Sequence, residues 1–415
     1  MKQGFSSISN RYYSSENMLL MQKFYILTTF IFLFFTSPLL AGATFVQQDT
    51  THTDTTLVDQ FLGLFQESDL DRIPEIKRSR RQQVDALLKS ILEEPGKLQF
   101  SGVATASLQA PLENETVWKG VGTFDIFAFV SFGPSALLFF DLEAGGGQGP
   151  DALIPNVSVL NADAGGGDGI GENLIVLEAW TEFKMLKDIF TVTFGKLDPT
   201  NYFDNNLHAN DETSQFISGV FVNNPVLPVG VNSPGIRFRT TFVKRFYIQY
   251  GHFMANPQEE NIMKNHLKLL ETGIKLFAES GWEANFRVFG HEQPLAGDSR
   301  GFGISFDQLI ANHFTIFGRY GSNSKELAQW QGIKNAWSGG IGFRQHIMNR
   351  ELKIGLAYAE TQITTYEQPE QMTEFYFSTQ LNRWVFISPH VQWIKTWRSE
   401  DSEHFLAGLR INLSY

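Results

Sequence analysis

From Lys97 onward, apolar and polar residues alternate in short runs with a period of two. The final run, Leu409-Arg410-Ile411-Asn412-Leu413-Ser414-Tyr415, does so without a break and ends on an aromatic residue. A period of two requires strands whose faces meet different surroundings. The runs fall at 98–109, 117–131, 135–144, 174–185, 189–197, 235–243, 246–254, 268–279, 282–290, 301–309, 313–321, 336–346, 351–361, 372–381, 384–395 and 404–415. Tight turns such as Gly133-Pro134, Lys244-Arg245, Asn312-His313 and Asn382-Arg383 alternate with long connections at 145–173, 198–234, 255–267 and 322–335. Short turns at one end and long loops at the other are the connectivity of a barrel crossing an outer membrane. The pattern predicts an all-β fold: a transmembrane antiparallel β-barrel of about 16 strands, lengths and loops matching the ~9–11 residues a spanning strand needs. A secreted β-sandwich or solenoid would need neither the alternation of loop lengths nor the aromatic terminus.

The N-terminal part reads differently. Phe24 to Phe35 is a short apolar run preceded by Lys2, Arg11 and Lys23 and followed by Ala41-Gly42-Ala43. This is a signal peptide over residues 1–43, too short for the ~20 residues of a spanning helix. Translation starting at Met18 or Met21 would give that signal a more usual length. Residues 44–96 place Leu57, Phe61, Leu64, Phe65 and then Ile76, Val84, Leu87, Leu88, Ile91 at helical spacing. They form a short helical periplasmic segment: a plug, a partner-binding arm or a solvated leader. The barrel itself takes 97–415.

Parity along each strand separates two faces. Arg237 and Arg239 oppose Ile236 and Phe238, and Glu178, Trp180 and Glu182 oppose Ile175, Leu177, Ala179 and Phe183. Asp141 and Glu143 oppose Phe140 and Leu142; Glu283 and Arg287 oppose Ala284, Phe286 and Val288; Arg319 opposes Ile316, and Arg344 opposes Phe343. A charge turned toward lipid at mid-bilayer costs about 2–4 kcal/mol, so these polar faces look inward. The lumen then mixes arginine and carboxylate with aromatics, as an aqueous channel for polyhydroxyl solutes would. The alternative is that the charges brace the wall in ion pairs.

Composition agrees. Aromatics are 14%, with 38 Phe, and charged residues only 19%. A net charge of -11 excludes a nucleic-acid partner, which needs a basic surface. Zero cysteines remove thiolate chemistry, disulfides and cysteine metal sites. Gly297-Asp298-Ser299-Arg300-Gly301 matches a nucleophile pattern but leads into a strand, not a helix. Asp163, Asp168 and Glu172 lie in the Gly-rich stretch 145–173 without calcium-loop spacing, which reads instead as a flexible linker. No cofactor and no metal site are expected.

One long connection is distinctive: FGKLDPTNYFDNNLHANDETSQFISGVFVNNP, Phe194 to Pro225. Its apolar anchors mark a loop folded into the barrel mouth as a constriction. The series Gly195-Lys196-Leu197-Asp198, Asn201-x-Phe203-Asp204, Asn210-Asp211-Glu212-Thr213-x-Gln215-Phe216 and Asn223-Asn224-Pro225 resembles the signature region of the carbohydrate-selective porin (OprB) family. The resemblance implies a sixteen-stranded barrel in the bacterial outer membrane, with outer-membrane lipid around it. It implies that small sugars diffuse passively through an eyelet lined by Arg and Glu and narrowed by inward loops. It leaves both a homotrimer and a monomer open. Rival readings are a general or anion-biased porin, a barrel enzyme using Ser299 with His291, and a structural or adhesive barrel.

Overall fold

The computed structural model describes residues 96–414, apart from 113–116, 134, 165–173, 187–188, 230–231, 243–244, 257–263, 278–280, 348–349 and 398–401. The expected signal peptide and nearly all of the helical segment 44–96, like Tyr415, lie outside the described residues.

Sixteen strands follow one another: β1 (Leu98–Pro111), β2 (Lys119–Ser131), β3 (Ala136–Gly147), β4 (Ile175–Met185), β5 (Phe190–Leu197), β6 (Ser233–Phe242), β7 (Phe246–Met254), β8 (His266–Leu276), β9 (Ala284–Gln293), β10 (Ser299–Ile310), β11 (Phe314–Asn323), β12 (Ile333–Ile347), β13 (Arg350–Ile363), β14 (Glu370–Gln380), β15 (Val385–Lys395) and β16 (Glu403–Ser414). Each pairs antiparallel with its chain neighbours, and β1 pairs with β16 from Val103↔Ser414 to Pro111↔Leu406. The closed order leaves no sheet edge, so the backbone groups of the wall are paired strand to strand, as a lipid setting demands.

The alternation read from sequence is the alternation of the wall. Phe100, Leu108, Phe124, Leu270, Ile341 and Leu356 are exposed on the outer face, while Thr105, Asp125, Glu271, Ser305 and Arg410 are buried inside. One strand departs from simple parity. A register shift between Asp141 and Leu142 sets Asp141 against Glu178 but Leu142 against Val176, skipping Leu177. The bulge moves Ile175, read as outward, opposite Glu143. The connection after β11 also holds a helix the strand pattern concealed, α1 (Lys325–Gln331). Ser324 caps its start by accepting from the Leu327 N–H, and Gly332 at φ 85° ends it.

The apolar core lies within the barrel. Two long connections fold inward, and their side chains pack on the inner wall. Phe127, Phe129, Phe139 and Trp180 of β2–β4 join Phe253, Phe289 and the loop residues Tyr202 and Phe203. A second cluster brings Ile154 and Leu160 of one loop together with Phe216 and Phe221 of the other, against Phe317 and Tyr376. Each such side chain contributes roughly 1.5–3 kcal/mol by burial. Residues 148–164 are thus packed and mostly covered, which corrects their reading as a flexible linker.

Candidate functional site: the lumen and its inward loops

The second inward loop, between β5 and β6, contains the signature stretch, and its residues mostly build the loop itself. Gly195 sits at φ 139°, where a Cβ would meet the backbone of Ala179 and Trp180 on β4. Asp198 caps the next turn, accepting from Thr200 N at 2.8 Å and Thr200 Oγ1 at 2.7 Å. Asn201 donates to Glu178 Oε1 at 2.8 Å, and Asp198 N donates to Glu178 Oε2 at 3.2 Å. Phe203 is fully buried, edge-on to Phe253 at 5.9 Å.

Asp204 is the hinge pin of this loop. It adopts φ 57°, and its N–H donates to Glu271 Oε2 at 2.7 Å. Its carboxylate accepts from Arg319 Nε at 2.7 Å and from Asn224 N at 3.0 Å. Arg319 also donates to Phe221 O at 2.6 Å, Asp204 O at 3.1 Å and Asn210 Oδ1 at 3.3 Å. Burial pushes the Asp204 carboxyl up, and the Arg319 and Arg287 guanidiniums pull against it. Further on, Gln215 accepts from Asn210 N at 2.7 Å and donates to Leu207 O at 3.0 Å. Asp211 accepts from Thr213 N and Oγ1 at 2.8 and 2.7 Å. A short helix, α2 (Gly219–Val222), follows and presents Phe221 to the wall. Where the loop nears β11, a Cβ on Gly321 would meet Asn224 Oδ1 at 2.7 Å, so only glycine leaves room.

The wall residues read as pore-lining are placed as follows. Arg237 is 2% exposed, donates to Gln249 Oε1 at 2.9 Å, lies 3.7 Å from Glu182 and stacks over the Tyr202 ring at 4.5 Å. Arg239 stacks over Tyr247 at 4.5 Å. Arg287 pairs with Asp307 at 2.6 Å. Trp180 packs against Phe139, the rings tilted by 36° with centres 4.7 Å apart. Asp141 is buried beside Glu178 on the β3–β4 ladder. The loops cover most of this set, and the pairs tie wall to wall and wall to loop. Two residues stand apart. Glu283 precedes β9 instead of lying within it, and Arg344 is 41% exposed near the β12–β13 turn, 4.0 Å from Glu351. Glu143 keeps partial exposure.

Sequence reading did not find the groups that hold the loops from the other side. On β14, Glu374 accepts from Ile217 N at 2.8 Å and Ser218 N at 3.0 Å, and His390 Nδ1 lies 2.9 Å from it. Four residues earlier, Glu370 accepts from Ser158 N at 2.7 Å, Ser158 Oγ at 2.6 Å and Val157 N at 3.1 Å. The first loop, between β3 and β4, is also tied to β1 through Asn161, which donates to Ser107 Oγ at 2.9 Å and Gln109 Oε1 at 2.7 Å. Within that loop Asp151 accepts from Leu160 N at 2.7 Å and Asn161 N at 3.1 Å. The loops also bond to each other, Gly219 N to Val159 O at 2.7 Å and Ala162 N to Ile217 O at 2.9 Å. The available signal was two glutamates on the inner parity of one strand, separated by one methionine on that face.

Beside this junction Asp163 remains partly exposed, accepting from Thr123 Oγ1 at 2.9 Å. Burial, then the negative charge of Glu212, pushes its carboxyl up to about 7, with Asp125 and Glu143 adding to the push. Asp168 and Glu172 lie outside the described residues. Among the described residues no group of three or more His, Asp or Glu is arranged to hold a metal ion. Ser299 donates to Ala296 O at 2.6 Å and His291 contacts Asn323 at 3.2 Å, so neither is bonded to the other.

Comparison with known proteins agrees with this architecture. The model of the carbohydrate-selective porin, OprB family, matches residues 140–304, from β3 to β10 and through the whole second loop. The high-pH structure of Pseudomonas putida OprB matches with TM-score 0.65 at 14% identity, covering 80% of this chain and 97% of that one. Its low-pH structure matches with TM-score 0.53 at 14% identity, covering 84% and 99%. An uncharacterized protein of Aquifex aeolicus (strain VF5) is 27% identical over 297 residues, 71% of this chain and 85% of that one. Residues 140–304 thus resemble the carbohydrate-selective porin, OprB family, and they lie in a closed sixteen-stranded barrel with the fold of those porin structures.

Proposed function

We propose that the chain is a bacterial outer-membrane porin through which small carbohydrates diffuse passively. The observation that carries this reading is the second loop. The family match spans it, and the wall holds it inside the lumen by a buried Arg319–Asp204 pair at 2.7 Å. A loop pinned across a barrel narrows the bore to molecular size, and polar loop edges replace the hydration of a hydroxylated solute. Glu143, Asp163, Glu212 and Ser214 are partly exposed at that level. Such a filter needs neither nucleotide nor coupling ion.

The test is a swelling assay on liposomes carrying the full mature protein. Glucose-sized solutes are expected to enter without an energy source, and larger oligosaccharides to enter more slowly. Entry of no sugar by a correctly folded barrel, or entry only under a proton gradient, overturns the reading.

A further inference from the structure

We propose that the junction of the two inward loops is a subsite for hydroxylated cations, with protonated amino sugars as its solute class, and that it makes the channel cation-preferring. This rests on the channel reading above and goes beyond it in naming the charge of the solute.

Four chain segments bring charge to one place. Asp163 comes from the first loop, Glu212 from the second, Asp125 from β2 and Glu143 from β3, and all three of the others act on Asp163 electrostatically. Asp211, Glu374, Tyr376 and Asp163 in turn act on Arg410 of β16. Asp163 thus feels three other carboxyl groups, and Asp163, Asp211 and Glu374 share the Arg410 guanidinium, so carboxyls outnumber guanidinium at this junction. A narrow passage with low-dielectric walls concentrates ions of the opposite sign.

An acidic surface alone would specify only charge. The second observation is Arg410 itself, 1% exposed. Its Nη1 donates to Glu212 O at 2.6 Å, while Nε and Nη2 have no hydrogen-bond partner among the described residues. Buried guanidinium donors call for acceptor oxygens, which the hydroxyls of a solute supply. Carboxylates beside them call for a cationic or O–H donor group on the same solute. An amino sugar carries both. Two further inward cations are each committed to a carboxylate elsewhere, Arg287 to Asp307 and Arg319 to Asp204. The raised Asp163 carboxyl adds a consequence: the excess negative charge shrinks as pH falls through about 7.

The experiment records reversal potentials and current block in planar bilayers with the full mature protein. Wild type at pH 8 is expected to favour K+ over Cl-, because the charged passage concentrates the counter-ion. Glucosamine is expected to block at lower concentration than glucose, and glucuronate to block least. Lowering the pH to 6 should reduce the cation preference without any substitution. In an Asp163→Asn/Glu212→Gln variant with native heat-modifiable mobility, the cation preference and the advantage of glucosamine over glucose should vanish. Wild-type selectivity that is neutral or anionic, or equal block by glucosamine and glucose, overturns the proposal while leaving a sugar channel standing. A folded barrel that passes no ions and no sugar overturns both.

Discussion

The two inward loops solve the same problem with different chemistry. The second loop carries its own apolar core and a buried ion pair, Arg319 with Asp204. The first loop leans on polar contacts to β1, β14 and β15 and on its own Asp151, with Ile154 and Leu160 as its apolar share. The second is therefore pinned by an interaction that fails badly when half of it is removed. The first is held by many small ones. Only the second has a sequence that announces itself, because caps and ion pairs need particular residues at particular positions.

The largest effect should come from Arg319→Ala. It strands Asp204 as a buried charge, a loss of about 3–5 kcal/mol. Limited proteolysis within 205–222 and a noisier, larger conductance are expected in a barrel of unchanged heat-modifiable mobility. Continued protection of that segment would erase the contrast between the loops. Glu370→Gln should act next and elsewhere. It weakens three donor contacts from Val157 and Ser158 for about 1–2 kcal/mol, exposing residues near 158 to protease while 205–222 stays largely protected. Equal release of both loops would show that their mutual hydrogen bonds make them one unit.

A pH series gives the smaller effect. The folded-state carboxyl of Asp163 lies near 7, above its ordinary 3.8, so the folded chain binds that proton more tightly than the unfolded chain does. Its contribution to stability is complete below about 4 and is lost as pH rises through about 7. Protection of the first loop should therefore be better at pH 5 than at pH 8, and Asp163→Asn should flatten the difference. An unchanged pH profile in that variant would assign the dependence to another group.

The barrel was legible in the sequence because a period of two leaves little freedom once one face meets lipid. The strand runs at 246–254, 313–321 and 384–395 differ from the observed strands by at most two residues at either end. What stayed hidden depends on contacts distant in sequence. Nothing near Val157 or Ser158 says that Glu370 will meet them, 213 and 212 residues later. The Leu177 bulge was hidden too, since it is a feature of pairing rather than of one strand. The Gly-rich run after β3 looked like a linker because glycine count outweighed Asp151, Ile154, Leu160 and Asn161. Those four residues are the anchors. The inward arginines were found by parity, but parity cannot tell a side chain facing water from one facing a loop. Arg237 at 2% exposure shows the difference.

Glu370 and Glu374 stand on the same strand, and each receives backbone N–H groups from a different loop. That arrangement orders assembly in time. The loops are made in the first half of the barrel, yet their acceptors are among the last strands to form. Until β14 is in place, the backbone N–H groups of Val157, Ser158, Ile217 and Ser218 lack these acceptors. Seating the two loops is therefore coupled to completing the far side of the wall, so a barrel that lacks β14 also lacks part of its filter.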